Sequence, residues 1–365
     1  MKKILLGLIA SLVFCQHFHA QDSDGKNTNK DIFHPTDKNI QYIGRIEKSD
    51  PDHLVFTYPG IQIRTGFTGT SLEMTCKIRS GYFMAEIDGG KPFKISFLGN
   101  TVVKLADRLP DGTHQATVTY IGEGYETLPE FHGFFVDKGK TLVPATNVPT
   151  RKIEFIGNSI TCGYGIEANS EAEHYTDETA NFYYTYAART ARNLDAQALV
   201  VARSGIGVYR SYNGPQTGDK VNMNTEYPNT LLYNDKYKWD FSRYTPDLVC
   251  INLGTNDTST QGADSILLLN GFKQLYHQVR SHYPYAKIVL LCGCMMNGDQ
   301  LRSAQQAMDT TADYAHQQGD TEVYRFDFTP HDGSLGYGAD WHPSMRQHEK
   351  MANELTPYLK KLMNW

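Results

Sequence analysis

Several features that would assign the chain to a particular class of protein are missing from its sequence. It has 35 lysine and arginine residues against 40 aspartate and glutamate residues, and it contains no long basic cluster. A nucleic-acid-binding surface needs clustered positive charge, so nucleic acid is not an expected partner. We also find no internal repeat and no low-complexity tract. The 365 residues are enough for two domains, or for one elaborated domain.

Cysteine is scarce, with only six residues in the whole chain. Five follow residue 20, and an odd number of this kind does not indicate a disulfide framework. None of them belongs to a Cys/His cluster with zinc-finger spacing, so small buried thiols are the expected role. The five are Cys76, Cys162, Cys250, Cys292 and Cys294.

Long apolar runs are absent as well, and the run Ile4 to Phe14 is too short to span a bilayer. It follows Lys2-Lys3 and precedes the small residue Ala20, which is the pattern of an export signal. We therefore predict a signal peptide at residues 1–20, secretion or a periplasmic location, and no integral membrane segment in the mature chain.

A lipid anchor on Cys15 is the alternative to soluble export. The bulky Phe14 before it disfavours this alternative, since such signals usually have a small residue there. Residues 21–38 are small and polar, which predicts a flexible leader before the folded part begins near Ile40.

Residues 39–148 contain short β-type runs separated by turns such as Asp-Gly-Gly and Pro-Asp-Gly. No helical period lies between these runs, which indicates an antiparallel β-sandwich of the jelly-roll type. The predicted strands are Ile40–Ile46, His53–Tyr58, Ile61–Phe67, Ser71–Arg79, Tyr82–Ile87, Phe93–Phe97, Val102–Leu105, Gln115–Ile121 and Gly133–Asp137.

Residues 149–365 follow a different pattern, in which strands and helices alternate. Such alternation predicts an α/β domain with a parallel, five-stranded sheet. Helices are expected near 178–194, 264–282, 299–318 and 344–363. A long irregular insertion at about 207–244 is expected to line a site. The five predicted strands are Lys152–Gly157, Ala198–Ala202, Asp247–Leu253, Lys287–Cys292 and Glu322–Phe326.

Polar residues follow four of these regions, and the carboxyl ends of parallel strands meet at one crevice. Ser159 follows the first strand, Ser204-Gly205 the second and Asn256-Asp257 the third, and Asp340-Trp341-His342 comes after the fifth. Each block alone has a simpler interpretation as a turn or a helix cap. Four blocks at one edge instead favour a catalytic site.

Acyl transfer needs the residue types that meet there. A serine hydroxyl is a weak nucleophile until a base takes its proton, and His342 is such a base near neutral pH. Asp340 could receive the other ring N–H of His342. The Ser159 and Gly205 backbone N–H groups and the Asn256 amide could stabilise an oxyanion, with Gly207 as the alternative to Gly205.

Trp341 is open to two interpretations, as a core residue or as a wall on which a sugar ring stacks. The remaining histidines in this half have no partner pattern and are expected to be surface or structural residues. They are His174, His277, His282, His316, His331 and His348. The predicted chemistry requires no metal and no cofactor.

Four blocks together resemble those of the SGNH, or GDSL-like, hydrolase superfamily in order and spacing. They are Gly-Asn-Ser-Ile-Thr at 157–161, the glycine after the second strand, Gly-Thr-Asn-Asp at 254–257 and Asp-Trp-His at 340–342. With the sandwich in front, the chain is similar to the two-domain carbohydrate esterases of family 2, which deacetylate xylan and other plant polysaccharides. The resemblance covers nearly the whole mature chain.

The resemblance implies a flavodoxin-like hydrolase domain at 149–365 behind the sandwich at 39–148. It implies Ser159 as nucleophile, His342 as base, Asp340 as its orienting acid, and Gly205 and Asn256 as oxyanion donors. Asn158 stands where the superfamily usually has aspartate, at a position that is not itself catalytic. Some relatives lack the acid and orient the histidine through a backbone carbonyl, but the presence of Asp340 favours a full triad here.

The function implied is that of a secreted serine esterase that removes O-acetyl groups from a plant polysaccharide or oligosaccharide, such as acetyl xylan or glucomannan. An acetylated carbohydrate is therefore the expected partner. Two alternatives are an esterase of the lipase or lysophospholipase type and a carbohydrate-binding protein without activity. The polar, tyrosine-rich insertion and the lack of an apolar lid favour a sugar substrate over a lipid.

Overall fold

The computed structural model describes residues 29–365. The signal peptide expected at 1–20, the alternative lipid anchor on Cys15 and the first part of the expected leader, 21–28, lie outside the described residues.

The first half folds into two antiparallel sheets that pack face to face, as the turn-rich sequence predicted. The strands are β1 Lys30–Phe33, β2 Gln41–Ile43, β3 Leu54–Val55, β4 Gln62–Gly69, β5 Leu72–Cys76, β6 Tyr82–Ile87, β7 Phe93–Ser96, β8 Val102–Ala106, β9 Gly112–Tyr120, β10 Glu130–Asp137 and β11 Leu142–Val143. One sheet has the order β1-β10-β5-β8, with β3 beside β10, and the other has the order β11-β4-β9-β6-β7, with β2 beside β4. Large aromatic side chains fill the space between the sheets, including Phe56, Phe67, Phe83 and Phe131.

Part of the expected flexible leader is in fact a strand of the sandwich. β1 pairs antiparallel with β10, with Lys30 opposite Asp137. The Lys30 ammonium group also forms a 3.0 Å ion pair with the Asp137 carboxylate. The prediction of a leader up to residue 38 is therefore wrong from Lys30 onward, because a polar composition does not prevent pairing when a neighbouring edge supplies backbone hydrogen bonds and a counter-charge.

The second half contains the predicted five-stranded parallel sheet. The strands of this half are β12 Arg151–Gly157, β13 Ala196–Ala202, β14 Asn229–Leu231, β15 Asn234–Lys238, β16 Leu248–Asn252, β17 Lys287–Cys292 and β18 Val323–Asp327. The order in the parallel sheet is β13-β12-β16-β17-β18. Counted within this sheet, the strand order is 2-1-3-4-5, which is the flavodoxin-like arrangement. The helices are α1 Ser159–Cys162, α2 Tyr186–Asn193, α3 Met223–Glu226, α4 Thr255–Thr258, α5 Ser265–His282, α6 Gly298–Gln317 and α7 Met345–Met363, with 3₁₀ turns at Phe182–Tyr184, Phe241–Arg243 and Ala339–Trp341.

The insertion at about 207–244 is more regular than its sequence suggested, since it contains α3 and the β14–β15 hairpin. Tyr212 is the part of it that reaches the cleft described below. Other parts of it contact both halves: the Asn224 amide donates to the Gly271 carbonyl oxygen on α5 at 3.0 Å, and the Thr57 hydroxyl oxygen of the sandwich accepts a hydrogen bond of 2.7 Å from the Leu232 backbone N–H. The insertion therefore joins the two halves in addition to contributing to the site.

A fully buried ion pair also crosses this boundary. Arg45 of the sandwich forms a 3.1 Å contact with Glu154 on β12, and both side chains are inaccessible to solvent. The Arg45 guanidinium also donates to the Asn229 carbonyl, at 3.0 Å, and the Tyr227 hydroxyl donates to Glu154, at 3.0 Å. A buried charge that lost its partner would be strongly destabilising, so the two halves form one cooperative interface.

Two further properties concern the residues from 29 onward. No helix in that range has the length and apolar character needed to cross a membrane. The five cysteines within it are all buried, as the sequence predicted, and the structure shows that none of the five forms a disulfide bond.

Candidate active site

Ser159 lies at the carboxyl end of β12 and begins the short helix α1. The strand ends in Gly157, where a Cβ atom would come within 2.0 Å of the Thr161 hydroxyl, so only glycine allows this tight strand-to-helix turn. The Asn158 side chain caps α1 by accepting a 3.0 Å hydrogen bond from the Ile160 N–H. The backbone around the nucleophile candidate is thereby held in place.

His342 meets Ser159 across the edge of the sheet. Its Nε2 lies 2.9 Å from the Ser159 hydroxyl oxygen. Its Nδ1 lies 3.1 Å from the Ala339 carbonyl oxygen and 3.2 Å from the Asp340 carbonyl oxygen. Two acceptors at Nδ1 place the ring proton there, so the lone pair of Nε2 faces the serine.

The Asp340 carboxylate does not contact His342, and the prediction of a complete Ser-His-Asp triad is wrong for this structure. The carboxylate instead accepts hydrogen bonds from the Tyr164 hydroxyl at 2.8 Å and the Tyr175 backbone N–H at 3.1 Å, and it pairs with His174 Nδ1 at 2.8 Å. The group of Asp340 that contacts His342 is its backbone carbonyl oxygen.

The physical reason for this difference is the backbone conformation at Asp340. Its φ of 49° and ψ of 42° are left-handed, and Trp341 follows with a φ of 66°. Left-handed residues other than glycine are uncommon and need support from their surroundings. The spacing Asp-x-His does not reveal this turn, which directs the side chain of Asp340 away from the imidazole.

Tyr164 connects the Asp340 carboxylate to the base indirectly. Its ring stacks on the His342 ring, with 4.1 Å between the centroids and 26° between the planes. Its hydroxyl is held by Asp340, and its other neighbour Tyr175 lies 4.5 Å away, centroid to centroid. The imidazole is therefore fixed on one face by an aromatic ring and at Nδ1 by two carbonyl oxygens.

The enclosed position of His342 also determines its protonation. Burial lowers the pKa of His342 to about 4, because the charged imidazolium loses hydration there. The carbonyl oxygens of Ala339 and Asp340 act in the opposite direction but do not compensate for burial. At neutral pH the ring is therefore uncharged and can accept the proton of Ser159.

The predicted oxyanion donors line the same cleft as Ser159. Asn256, at the start of α4, donates one amide hydrogen to the Ile206 carbonyl oxygen at 2.8 Å, which leaves its second amide hydrogen available. Gly205 has a φ of 78°, and a Cβ atom added to it would meet no atom within 4 Å. Glycine is thus required at this position for its backbone conformation.

Gly207 lies behind the cleft wall instead, since a Cβ atom there would come within 2.3 Å of the Asp257 carboxylate. That carboxylate is buried and accepts hydrogen bonds from the N–H groups of Val208, Tyr209 and Arg210, at 3.0–3.3 Å. The placement favours Gly205 over Gly207 as the donor, and it gives Asp257 the separate role of holding the loop after β13.

The cleft around these residues has a volume of about 540 Å³. Trp341 lines this cleft, and 58% of its surface is exposed. It is therefore not a core residue. Its ring lies 5.1 Å from the Tyr337 ring, in an edge-on arrangement. The lining consists of Ser159, Tyr164, Ser204, Gly205, Tyr212, Thr255, Asn256, Ser259, Met295, Gln300, Asp340, Trp341 and His342.

Sequence reasoning missed two residues that support the site. Tyr164 belongs to the Cys-Gly-Tyr-Gly segment that follows Ser159, but nothing in that segment indicates a contact with His342. Glu123 comes from the sandwich, and its carboxylate accepts a 2.7 Å hydrogen bond from the Ser204 N–H. His174 was expected to be a surface or structural residue and is the exposed partner of Asp340.

Within residues 29–365, no group of three or more His, Cys, Asp or Glu side chains is arranged to hold a metal ion. The chemistry available to the cleft is that of a serine, a neutral histidine and a set of hydrogen-bond donors. This combination suits acyl transfer from an ester.

Comparison with protein families gives two matches along the chain. Residues 42–145 match the family model described as carbohydrate esterase 2 N-terminal. Residues 155–350 match the GDSL-like lipase/acylhydrolase family. The two matches cover the sandwich and the parallel-sheet domain respectively.

The chain is also similar to proteins of named function. It is 39% identical over 334 residues to the cellulase/esterase CelE of Acetivibrio thermocellus, covering 89% of this chain but only 40% of CelE. It is 31% identical to an acetylxylan esterase/glucomannan deacetylase of Cellvibrio japonicus, covering 90% of each protein. A family two carbohydrate esterase from Clostridium thermocellum, solved in complex with cellohexaose, superimposes with a TM-score of 0.82 at 38% identity, covering 89% of this chain and 99% of that one.

Proposed function

The chain belongs to the GDSL-like lipase/acylhydrolase family and, within it, to the carbohydrate esterases of family 2, a family of carboxylic ester hydrolases, and we propose that it removes O-acetyl groups from a plant polysaccharide or oligosaccharide. The observation that carries the proposal is the 2.9 Å contact between His342 Nε2 and the Ser159 hydroxyl at the bottom of an open cleft.

In the first half of the proposed reaction, the Ser159 oxygen attacks the carbonyl carbon of the acetyl ester while His342 Nε2 takes the hydroxyl proton. The negative charge moves onto the carbonyl oxygen. The N–H groups of Ser159 and Gly205 and the free amide hydrogen of Asn256 are placed to stabilise it. The imidazolium then returns its proton to the sugar oxygen, the ester bond breaks, and an acetyl group remains on Ser159.

In the second half, water takes the place of the sugar hydroxyl in the cleft. His342 removes a proton from the water, the water oxygen attacks the acetyl carbon, and acetate leaves as Ser159 regains its proton. The positive charge that His342 carries in each half faces the carbonyl oxygens of Ala339 and Asp340, at 3.1 Å and 3.2 Å.

A carbohydrate substrate suits the walls of the cleft. Trp341 is exposed next to the base, and Tyr212 is 55% exposed on the insertion. Exposed aromatic rings offer flat apolar surfaces of the kind on which sugar rings stack. The similarity to the acetylxylan esterase/glucomannan deacetylase of Cellvibrio japonicus supports the same substrate class.

We also propose that the protein is exported from the cytoplasm. Lys2-Lys3 and the apolar run from Ile4 to Phe14 support export by a signal peptide, which would bring the enzyme to polysaccharides outside the cell or in the periplasm.

The experiment that tests the function compares wild type with Ser159→Ala and with Ser281→Ala, an exposed serine on α5, as the matched control. Loss of the nucleophile is expected to lower kcat on 4-nitrophenyl acetate by at least about a thousandfold while the fold is retained. The control should match wild type. Near-normal hydrolysis by Ser159→Ala would overturn the assignment.

The substrate class needs a second measurement with the wild-type enzyme. We expect release of acetate from acetylated xylan or acetylated glucomannan, and poor hydrolysis of long-chain acyl esters. A clear preference for the long-chain esters would instead support the lipase-type alternative, and binding of glycan without any acetate release would support a protein without activity.

A further inference from the structure

The loop that carries the oxyanion donor Gly205 is held partly by the other domain. Glu123 follows β9 of the sandwich, yet its carboxylate accepts a 2.7 Å hydrogen bond from the Ser204 backbone N–H and a second one from the Ser204 hydroxyl. Ser204 directly precedes Gly205. The contact between Glu123 and Ser204 is therefore one residue away from the proposed oxyanion donor.

The other residues of this loop are held from within the catalytic domain. The Arg203 N–H donates to the Gly157 carbonyl oxygen at 3.3 Å, and the Gly205 carbonyl oxygen accepts from the Tyr212 N–H at 2.8 Å. The Ile206 carbonyl oxygen accepts from the Asn256 amide at 2.8 Å. Within the segment 203–206, the hydrogen bonds to the sandwich come from the backbone N–H and the hydroxyl of Ser204.

The orientation of Gly205 depends on Ser204, because the peptide group that joins the two residues carries the Gly205 N–H. That N–H donates to no acceptor among residues 29–365, so it is available to an oxyanion. Gly205 has a φ of 78°. Because glycine has no Cβ atom, its backbone can also adopt many other φ values at little cost. A loop with such freedom needs an external anchor to keep the N–H pointed into the cleft.

We infer that Glu123 is a positioning residue for the oxyanion donor, and that the β-sandwich thereby completes the active site of the catalytic domain. The inference rests on the proposed esterase function. Its physical basis is that a preorganised donor stabilises the transition state only when it is already aimed at the oxygen that becomes charged.

The chemistry of Glu123 suggests how to separate charge from geometry. Burial raises the pKa of the Glu123 carboxyl, whereas the hydrogen bonds from Ser204 favour its ionised form. Glutamine has the same length and keeps an oxygen for the Ser204 N–H, while the Ser204 hydroxyl can turn to accept from the amide. Aspartate keeps the charge but is one methylene shorter and cannot make both contacts.

The test measures kcat and KM on 4-nitrophenyl acetate for Glu123→Ala, Glu123→Asp and Glu123→Gln in the full-length protein. Misplacement of the donor is expected to lower kcat by about a hundredfold in the alanine and aspartate variants, with little change in KM. The glutamine variant should retain most of the wild-type kcat. Equal kcat values in all four proteins would overturn the inference.

Thr57→Val is the matched control for a purely structural effect. Thr57 is also a sandwich residue whose side chain accepts a hydrogen bond from a backbone N–H of the catalytic domain, that of Leu232 at 2.7 Å. The valine variant should lose thermal stability but keep its kcat. If kcat falls in Thr57→Val as it does in Glu123→Asp, Glu123 has a structural role only and the inference is wrong.

A second readout does not depend on turnover. Amide hydrogen exchange of the segment 200–212 should be faster in Glu123→Ala and Glu123→Asp than in wild type and Thr57→Val, because the anchor of Ser204 is lost. Unchanged exchange there would contradict the inference even if the enzyme proved inactive on esters. Faster exchange together with an inactive wild type would instead contradict the proposed function alone.

Discussion

At the scale of single residues, the Nδ1 atom of His342 faces two backbone carbonyl oxygens and forms no hydrogen bond with a carboxylate of the described residues. The carbonyl oxygens of Ala339 and Asp340 accept the Nδ1 proton of His342, and Tyr164 covers one face of its ring. Carbonyl dipoles stabilise an imidazolium less than a full negative charge does, and the surrounding protein reduces the hydration of the ring. Both effects favour the neutral ring in the resting enzyme.

The acid limb of the pH profile should reflect this environment. A protonated His342 cannot take the proton of Ser159, so kcat/KM rises with pH through the pKa of the free enzyme. Burial lowers the pKa of His342 to about 4, so the limb should lie well below the ordinary histidine value of about 6.5. Measurement of kcat/KM on a neutral aryl acetate between about pH 3.5 and 8 tests this, and a midpoint at or above 6.5 would contradict it.

At the scale of elements, the turn from Ala339 to His342 acts as a unit. Two of its residues are left-handed, Asp340 with φ 49° and Trp341 with φ 66°. The Asp340 carboxylate fastens the turn to the segment 164–175 through Tyr164, His174 and the Tyr175 N–H. We therefore expect the Asp340 carboxylate to act on catalysis only indirectly, by holding the turn that presents two carbonyl oxygens and Trp341.

Asp340→Asn should therefore have a modest effect. An amide can still accept from one of the donors, so we expect kcat to fall by no more than about tenfold, roughly the effect of one hydrogen bond. A carboxylate that orients the base directly would cost about 10⁴-fold when converted to the amide. The measurement is kcat on 4-nitrophenyl acetate.

Tyr164→Phe is the companion variant for this turn, since it keeps the ring on His342 and removes only the hydroxyl that Asp340 holds. Its kcat should fall about as little as that of Asp340→Asn. A loss of several thousandfold in Asp340→Asn alone would show that the carboxylate acts on the imidazole during the reaction.

At the scale of the whole molecule, the two halves depend on one another. The Arg45–Glu154 pair is fully buried at their boundary, and Glu123 reaches from the sandwich to the loop beside Ser159. Charged groups in such positions are tolerated only while both partners stay in place. Loss of another contact at the boundary is therefore expected to lower stability, whereas loss of the Glu123–Ser204 contact is expected to lower kcat as well.

The pH dependence of stability should include a contribution from His348, which is 1% exposed. Its Nδ1 accepts a 3.1 Å hydrogen bond from the Tyr186 N–H, and burial lowers its pKa to about 3. Between about pH 6.5 and that value, the unfolded chain binds a proton here that the folded chain does not. Stability is therefore fully present above pH 6.5 and decreases as the pH falls through this range.

His348→Asn isolates this contribution, because the asparagine oxygen can replace Nδ1 as an acceptor but does not titrate. We expect the decrease in Tm between about pH 7 and 4.5 to be smaller in the variant than in wild type. Parallel Tm curves for the two proteins would contradict the role of His348.

Features that depend on local sequence patterns were predicted, whereas features that depend on contacts between residues far apart in the chain were not. The parallel strands and long helices were predicted because buried runs and helical periods are local patterns. β1 was missed because its stability comes from pairing with β10, about a hundred residues later. Glu123 was missed because no local pattern marks a side chain that crosses to another domain.

The sequence by itself determined the order of the catalytic blocks and the sheet that brings them together, since strand–helix alternation and right-handed crossovers leave one edge for Ser159, Gly205, Asn256 and His342. Only the tertiary structure decided that the Asp340 carboxylate turns away from His342 and that Glu123 holds Ser204. The direction of a side chain depends on the backbone conformation and the neighbours at its own position, which spacing along a chain does not specify.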